Sequence, residues 1–243
     1  MGVIRFNGVS SASIGLVVER PPDYDVAERR YEVITIPGRN GDILMDDESF
    51  ANSIRNYEVA IGAEGGNFEK FAMNLSAWLH ASPGYCRLED SYNPDCYMLA
   101  RYSGPATITN ILAQAGRATL PFDRKPQRFL KSGEVATTFV YTGNANTSHL
   151  LSNPTKFHSK PLIKIYGNGQ CAVDVNGSIV TVADVSGYVY VDCDDEDVYK
   201  DAINMNPKTT LSSTFPKLKP QVNLIKMSGA IDKVEVFPRW WTI

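Results

Sequence analysis

The feature that most constrains this chain is the period of its apolar residues. Across 243 residues, one stretch repeats at three and four residues: Phe68, Phe71, Leu75, Trp78 and Leu79. That spacing lays one apolar stripe along a helix. Ser82-Pro83-Gly84 then stops it, so a helix is expected near 68–81. The other structured runs are short, β-rich or alternating. Two of them, 172–175 and 178–182, flank Asn176-Gly177, the two-residue signal of a tight hairpin. One helix among many short strands excludes a doubly wound α/β fold and points to a mainly β protein.

The runs fall into two series. The first holds residues 3–6 (closed by Asn7-Gly8), 15–19, 31–36 (stopped by Pro37-Gly38), 56–61, then the helix, then 85–88, 97–102, 106–111 and 117–122. The second holds 137–141, 161–166, 172–175, 178–182, 188–192, 222–227 and 233–237, with Gly167-Asn168-Gly169 expected as a turn. A turn-rich segment, 131–160, carries Gly143-Asn144 and Asn153-Pro154 and separates them. We therefore expect residues 1–133 to form a β-domain with one helix, and 134–243 an all-β sandwich.

Charge narrows the partners. There are 24 Lys plus Arg against 27 Asp plus Glu, a net charge of −3, and no basic stripe of the kind that grips nucleic-acid phosphates. No run approaches the ~20 apolar residues of a membrane helix, so membrane insertion is not expected. Cys86, Cys96, Cys171 and Cys193 form no C-x-x-C, and His80, His149 and His158 fit no ligand spacing. They read as free thiols rather than a zinc site. Up to Lys131 the chain uses mostly Arg; beyond it, nine Lys face a single Arg239. Arg is enriched at interfaces and Lys depleted. This suggests a first half in contact with other chains, the alternative being a compositional drift without structural meaning.

The sequence holds no G-x-S-x-G, H-E-x-x-H or P-loop. The acidic run 192–197 lacks the glycine of an EF-hand and reads as a solvated strand connection. Asp42, Asp46, Asp47 and Glu48 read as a second acidic loop, suited to inter-chain ion pairs. No catalytic or metal residue and no cofactor is assigned. At the C-terminus, Pro238-Arg239-Trp240-Trp241 stands out. Successive residues of an extended strand face opposite sides. One Trp is thus expected in the second domain's core. The other needs a further partner: the first domain, another chain, or a sugar.

These residues carry a resemblance. The start, Val3-Ile4-Arg5-Phe6-Asn7-Gly8-Val9-Ser10-Ser11, resembles the distal tail (Dit) proteins of long-tailed siphophages, as does Ile36-Pro37-Gly38-Arg39-Asn40-Gly41-Asp42. Leu120-Pro121-Phe122-Asp123-Arg124-Lys125-Pro126-Gln127-Arg128-Phe129-Leu130 is similar to the family's late N-domain segment. Asn153-Pro154, Pro161 to Gly169, Asp192 and Pro238-Arg239-Trp240-Trp241 are similar to its C-terminal half. The resemblance implies an N-terminal β-domain that closes into a six-subunit ring, and a galectin-like β-sandwich outside it. It implies a virion protein at the tail tip, or baseplate, that joins the tail-tube protein to tail-associated, tail-fibre or receptor-binding proteins. Phage DNA would pass through the channel without specific binding. No catalytic residues come with the family, and the His-Asn-Pro-Arg pattern of true galectins is absent. On this reading Pro37, Gly38, Arg39, Asn40 and Gly41 form a candidate subunit contact, with Arg39 reaching the adjacent copy. Two other functions compete: a carbohydrate-binding module of the tail tip that contacts the host surface, and a wall-degrading hydrolase, for which only the carboxylate loops speak.

Overall fold

The computed structural model describes residues 1–24, 26–62, 68–105, 109–112 and 115–243; residues 106–108 of an expected strand lie outside them. By its contacts the chain divides into two units, Met1–Arg128 and Phe129–Thr242. Residues 129–133, expected with the first domain, group with the second. Their backbone is tied there: the Leu130 amide donates to the Trp240 carbonyl (2.8 Å), and the Arg239 amide to the Gly133 carbonyl (2.9 Å).

In the first unit the strands are β1 (Ile4–Phe6), β2 (Val9–Ser10), β3 (Leu16–Val18), β4 (Arg29–Ile34), β5 (Ile43–Phe50) and β6 (Ser53–Gly62). Helix α1 (Phe68–Leu79) follows, then β7 (Cys86–Asp90), β8 (Cys96–Tyr102), β9 (Thr109–Leu112) and β10 (Ala115–Leu130), which runs on across the division. One antiparallel sheet has the order β2-β1-β7-β8-β10-β6-β3, with β9 also on β10. Asn7 (φ 50°) and Gly8 (φ 80°) make the β1–β2 turn that their dipeptide signals. Gly2 bridges Val18, so the two ends of the sheet meet and it curls toward closure. Its inner face (Phe6, Leu16, Tyr57, Leu88, Leu120, Phe122) is covered by the apolar stripe of α1, where Leu75, Trp78 and Leu79 are buried. Trp78 meets Phe6 edge-on and donates its indole N–H to the Phe6 carbonyl (3.3 Å).

Inside this core sits a charged group that the periodicity does not announce. Arg55 and Asp90 are both buried, with Arg55 Nη2 3.1 Å from Asp90 Oδ2. Tyr57 completes the triangle, donating its hydroxyl to Asp90 (3.0 Å) and accepting from Arg55 Nε (3.0 Å). Burial, then the Asp90 charge, pushes the Tyr57 phenol well above its ordinary pKa. Removing one partner would leave the other buried and unpaired, which costs ~3–5 kcal/mol.

The second unit holds β11 (Thr137–Val140), β12 (Ser148–Asn153), β13 (Leu162–Val175), β14 (Ser178–Asp192), β15 (Asp197–Lys200), β16 (Ile203–Asn204), β17 (Thr209–Leu211), β18 (Gln221–Phe237) and β19 (Trp241–Thr242). Its sheet runs β11-β18-β13-β14-β15-β16, with β12 on β18 and β17 on β14. Three expectations are corrected here. Gly167-Asn168-Gly169 is no turn: β13 passes through it, with register shifts between Tyr166 and Cys171. The runs 178–182 and 188–192, expected as separate, are one strand, β14, which continues through Gly187. And the expected separator contains a strand, β12, whose Leu151 is buried.

In β13 and β18 the physical reason is close approach of backbone. Gly167 leaves no room for a side chain, since a Cβ there would lie 2.1 Å from the Ala230 carbonyl oxygen. Gly229 (φ +88°) would meet the Gln170 carbonyl oxygen at 2.3 Å. These glycines let the strands crease without breaking their ladders. The halves on either side then face each other: Ile163 and Ile165 from before the crease, and Val173 and Val175 from after it, belong to one buried cluster. The unit is thereby a β-sandwich made largely by folding one sheet on itself. Among the described residues α1 is the only α-helix. None of the four cysteines is joined in a disulfide.

Candidate functional site

Among the described residues, strands β4 and β5 pair with each other and with no other strand. The register Val33↔Leu44 and Ile34↔Ile43 makes them a hairpin arm. Val33 (57% exposed) and Leu44 (60%) share one face; Ile34, Ile43 and Met45 (52% exposed) share the other. A lone two-stranded ribbon is at best marginally stable in water, and here neither apolar face is covered.

Its local chemistry explains its shape. At the tip, the Arg39 amide donates to the Ile36 carbonyl (3.1 Å), with Pro37 and Gly38 (φ +82°) between them. Pro at the first corner and left-handed Gly at the second define a type II turn. Gly41 also has φ +82°, and a Cβ at either glycine would meet nothing within 4 Å, so conformation and not crowding requires them. Thr35 Oγ1 donates to Asp42 Oδ1 (2.8 Å), closing the tip. At the base, Arg29 holds Asp46 through two hydrogen bonds, Nε to Oδ1 at 3.0 Å and Nη2 to Oδ2. The Arg29 guanidinium keeps the Asp46 carboxyl below the usual carboxylate range. Extra residues of β5 here form a bulge around Glu48 (φ 59°). Asp46, Asp47 and Glu48 thus lie in a strand and not in the loop expected for them: pairing of Asp46 with Tyr31 and of Phe50 with Arg29 carries β5 through them, and Asp46 and Asp47 accept the Glu48 and Ser49 amides within the bulge.

Residues 37–41 are all exposed at this tip. The expectation that Arg marks inter-chain contact narrows sharply. Arg20, Arg29, Arg55, Arg87, Arg101 and Arg117 are each matched by a carboxylate of the same chain. Arg39 takes no part in those pairs, nor do the exposed Arg5 and Arg30.

The C-terminal group is placed differently. Phe237 ends β18, and Arg239 adopts φ 53°. This turn sends Trp240 into the core (5% exposed). Trp241 stacks on Phe157 (4.5 Å, 23°) and donates its indole N–H to the His158 carbonyl (2.8 Å). Arg239 grips Asp192 with both nitrogens, at 2.7 and 2.8 Å. Burial alone would raise the Asp192 carboxyl; the Arg239 fork and the amides of Asp194 and Asp195 outweigh it and hold the group below its ordinary pKa. Gly133 seats the strap, since a Cβ there would lie 2.3 Å from the Trp240 nitrogen. Pro238, Arg239, Trp240 and Trp241 form a clasp for the second unit, with Trp240 buried in its core and one face of Trp241 lying on Phe157.

A cavity of about 520 Å³ lies beside α1, lined in part by Leu75, Leu79, His80, Arg101 and Tyr102. Arg101 is committed to Asp123 (2.9 Å) and His80 packs edge-on against Tyr102. Among the described residues no three His, Cys, Asp or Glu side chains are grouped to hold a metal. Among the described residues no helix is long and apolar enough to cross a membrane.

No protein-family model and no curated protein matches the chain. Solved structures do. One is the SPP1 Dit (gp 19.1) protein, described as a paradigm of the hub adsorption apparatus in phages that infect Gram-positive bacteria. It is 16% identical, covers 100% of both chains and has a TM-score of 0.79. Another is a chain of the phage p2 baseplate in its activated, strontium-bound conformation, 12% identical over 96% of this chain and 97% of that one, with a TM-score of 0.51. From end to end, then, this chain has the fold of the SPP1 Dit protein.

Proposed function

We propose that this protein is a structural component of a phage virion: a distal tail, or baseplate hub, protein. Copies of the first unit associate head-to-tail into a closed ring, a hexamer, that joins the tail tube to the tail-tip and host-recognition proteins and lets DNA pass. The second unit is, in this reading, a galectin-like sandwich. The observation that carries the proposal is the β4–β5 arm on a Dit fold. A ribbon apolar on both faces needs a neighbour, and a heterologous contact repeated around an axis closes a ring. Arg39 at the tip bonds carboxylates or carbonyls of the adjacent copy. A mildly acidic chain suits a channel through which DNA slides, because phosphate-gripping cations would hold it. The role is one of assembly and not of catalysis.

The test is subunit count. The particle mass of the purified protein by light scattering, and the copies seen in a reconstructed tail tip, should give a closed ring. One or two copies per tail would overturn the proposal.

A further inference from the structure

The second unit has five tyrosines, and four of them share one patch of its surface. In register, Glu235, Lys164, Tyr190 and Tyr199 lie side by side across β18, β13, β14 and β15. One pair along, Lys233, Tyr166 and Tyr188 repeat the pattern. Their neighbours Ile163, Ile165, Val189, Val191, Val234 and Val236 are buried, so by the period of two this grid faces outward. All seven side chains are half-buried. Adjacent ring centroids are 5.4–6.3 Å apart, and two of the hydroxyls are anchored: Tyr166 donates to Glu235 (2.9 Å) and Tyr188 to Asp201 (2.5 Å). The surface is aromatic, rigid and studded with polar groups.

Its charge is uneven. Lys233 is neutralised by Glu235 at 2.6 Å. The Lys164 ammonium lies 4.5–4.9 Å from the centroids of Tyr166, Tyr188 and Tyr190 and takes no part in the ion pairs of the described residues. Hydrogen bonds to the Tyr166 and Tyr190 hydroxyls favour its charged form. The sandwich thus offers a fixed cation amid tyrosine rings.

We propose that this grid binds an acidic polysaccharide, with pyranose rings lying on the tyrosines and a carboxylate meeting Lys164. The chemistry selects this class. Rigid tyrosines give contact area at small entropic cost and hydrogen-bond through their hydroxyls. Ring spacing across the strands suits successive sugars of a chain. Lys164, held among the rings with no Arg fork, suits a singly charged carboxylate, and Lys200 Nζ, 5.2 Å from the Tyr188 centroid, adds a second positive charge at the edge of the grid. A polyol-phosphate chain has no ring to stack, so the tyrosines would be wasted on it. The site is distinct from Trp240 and Trp241, and it goes beyond the hub role, which stands or falls on particle mass.

The experiment is a calorimetric titration of the full-length protein with a hexauronate, with a neutral hexasaccharide and poly(glycerol phosphate) as comparisons. The hexauronate should bind saturably and more weakly as salt rises. Lys164→Gln should weaken it by about fivefold, the worth of one exposed ion pair, and Tyr188→Ala at least as much. Both variants must keep the wild-type melting curve. If Tyr188→Ala does not, Lys164→Gln alone decides. No saturable binding, binding untouched by Lys164→Gln, equal binding of the neutral chain, or equal binding of the ringless polyanion would each overturn the proposal. So would masking of the grid by a tail protein in a reconstructed tail tip.

Discussion

Truncation after Arg239 should unfold the second unit while changing the first far less. Trp240 is 5% exposed. Burying ~200 Å² of such a side chain at ~25 cal/mol per Å² is worth about 5 kcal/mol, and truncations of buried Trp to Ala cost ~3–5 kcal/mol. The deletion also removes the Leu130–Trp240 backbone bond, the Trp241–His158 indole bond and the Phe157–Trp241 stack. At ~0.5–1.5 kcal/mol each, these bring the loss to about 5–9 kcal/mol. A typical domain has ~5–15 kcal/mol in total. Urea unfolding followed by far-ultraviolet circular dichroism would compare residues 129–243 with 129–239. The fragment must begin at 129, because a start at 134 discards Leu130 and Gly133, which hold the strap. If the two fragments unfold within ~1 kcal/mol of each other, the buried indole is replaceable by local collapse and the clasp reading fails.

Arg39→Ala should weaken assembly, read by sedimentation or light scattering, without altering the melting curve of the single chain; normal assembly would count against the tip contact. Replacing Val33 and Leu44 by Ser removes the apolar pair from one exposed face of the arm and should abolish ring formation, while the monomer's thermal midpoint stays unchanged because neither side chain is buried. The Asp192–Arg239 clasp has a pH signature. The folded Asp192 carboxyl lies below its unfolded value of ~3.9, so its stabilisation is present above about pH 4 and is lost as pH falls through the depressed folded value. Arg239→Gln should therefore flatten the acid limb of stability measured for residues 129–243, and an unchanged limb would show that Asp192 is held by other groups.

Some of this was legible in the chain alone, because it is local. The apolar spacing of Phe71, Leu75, Trp78 and Leu79 requires a helix with one buried stripe. Asn176-Gly177 requires a tight hairpin, and Pro37-Gly38 requires a type II corner, since proline fixes φ and glycine alone takes the left-handed region without strain. Alternation at Val234 and Val236 requires that they share a face. Tertiary structure decided what lay beyond this reach. Residues 31–36 read as a strand like any other, and only the finished unit leaves that strand paired with one partner and bare on both faces. Gly167 and Gly169 read as turn residues until the ladders on either side are seen to continue through them. Arg55 and Asp90 lie 35 residues apart, and Lys164, Tyr190, Tyr199 and Glu235 come from four strands. Their meeting depends on register across the sheets. Register is set by which faces the cores bury, a property of the folded chain as a whole and not of any window of its sequence.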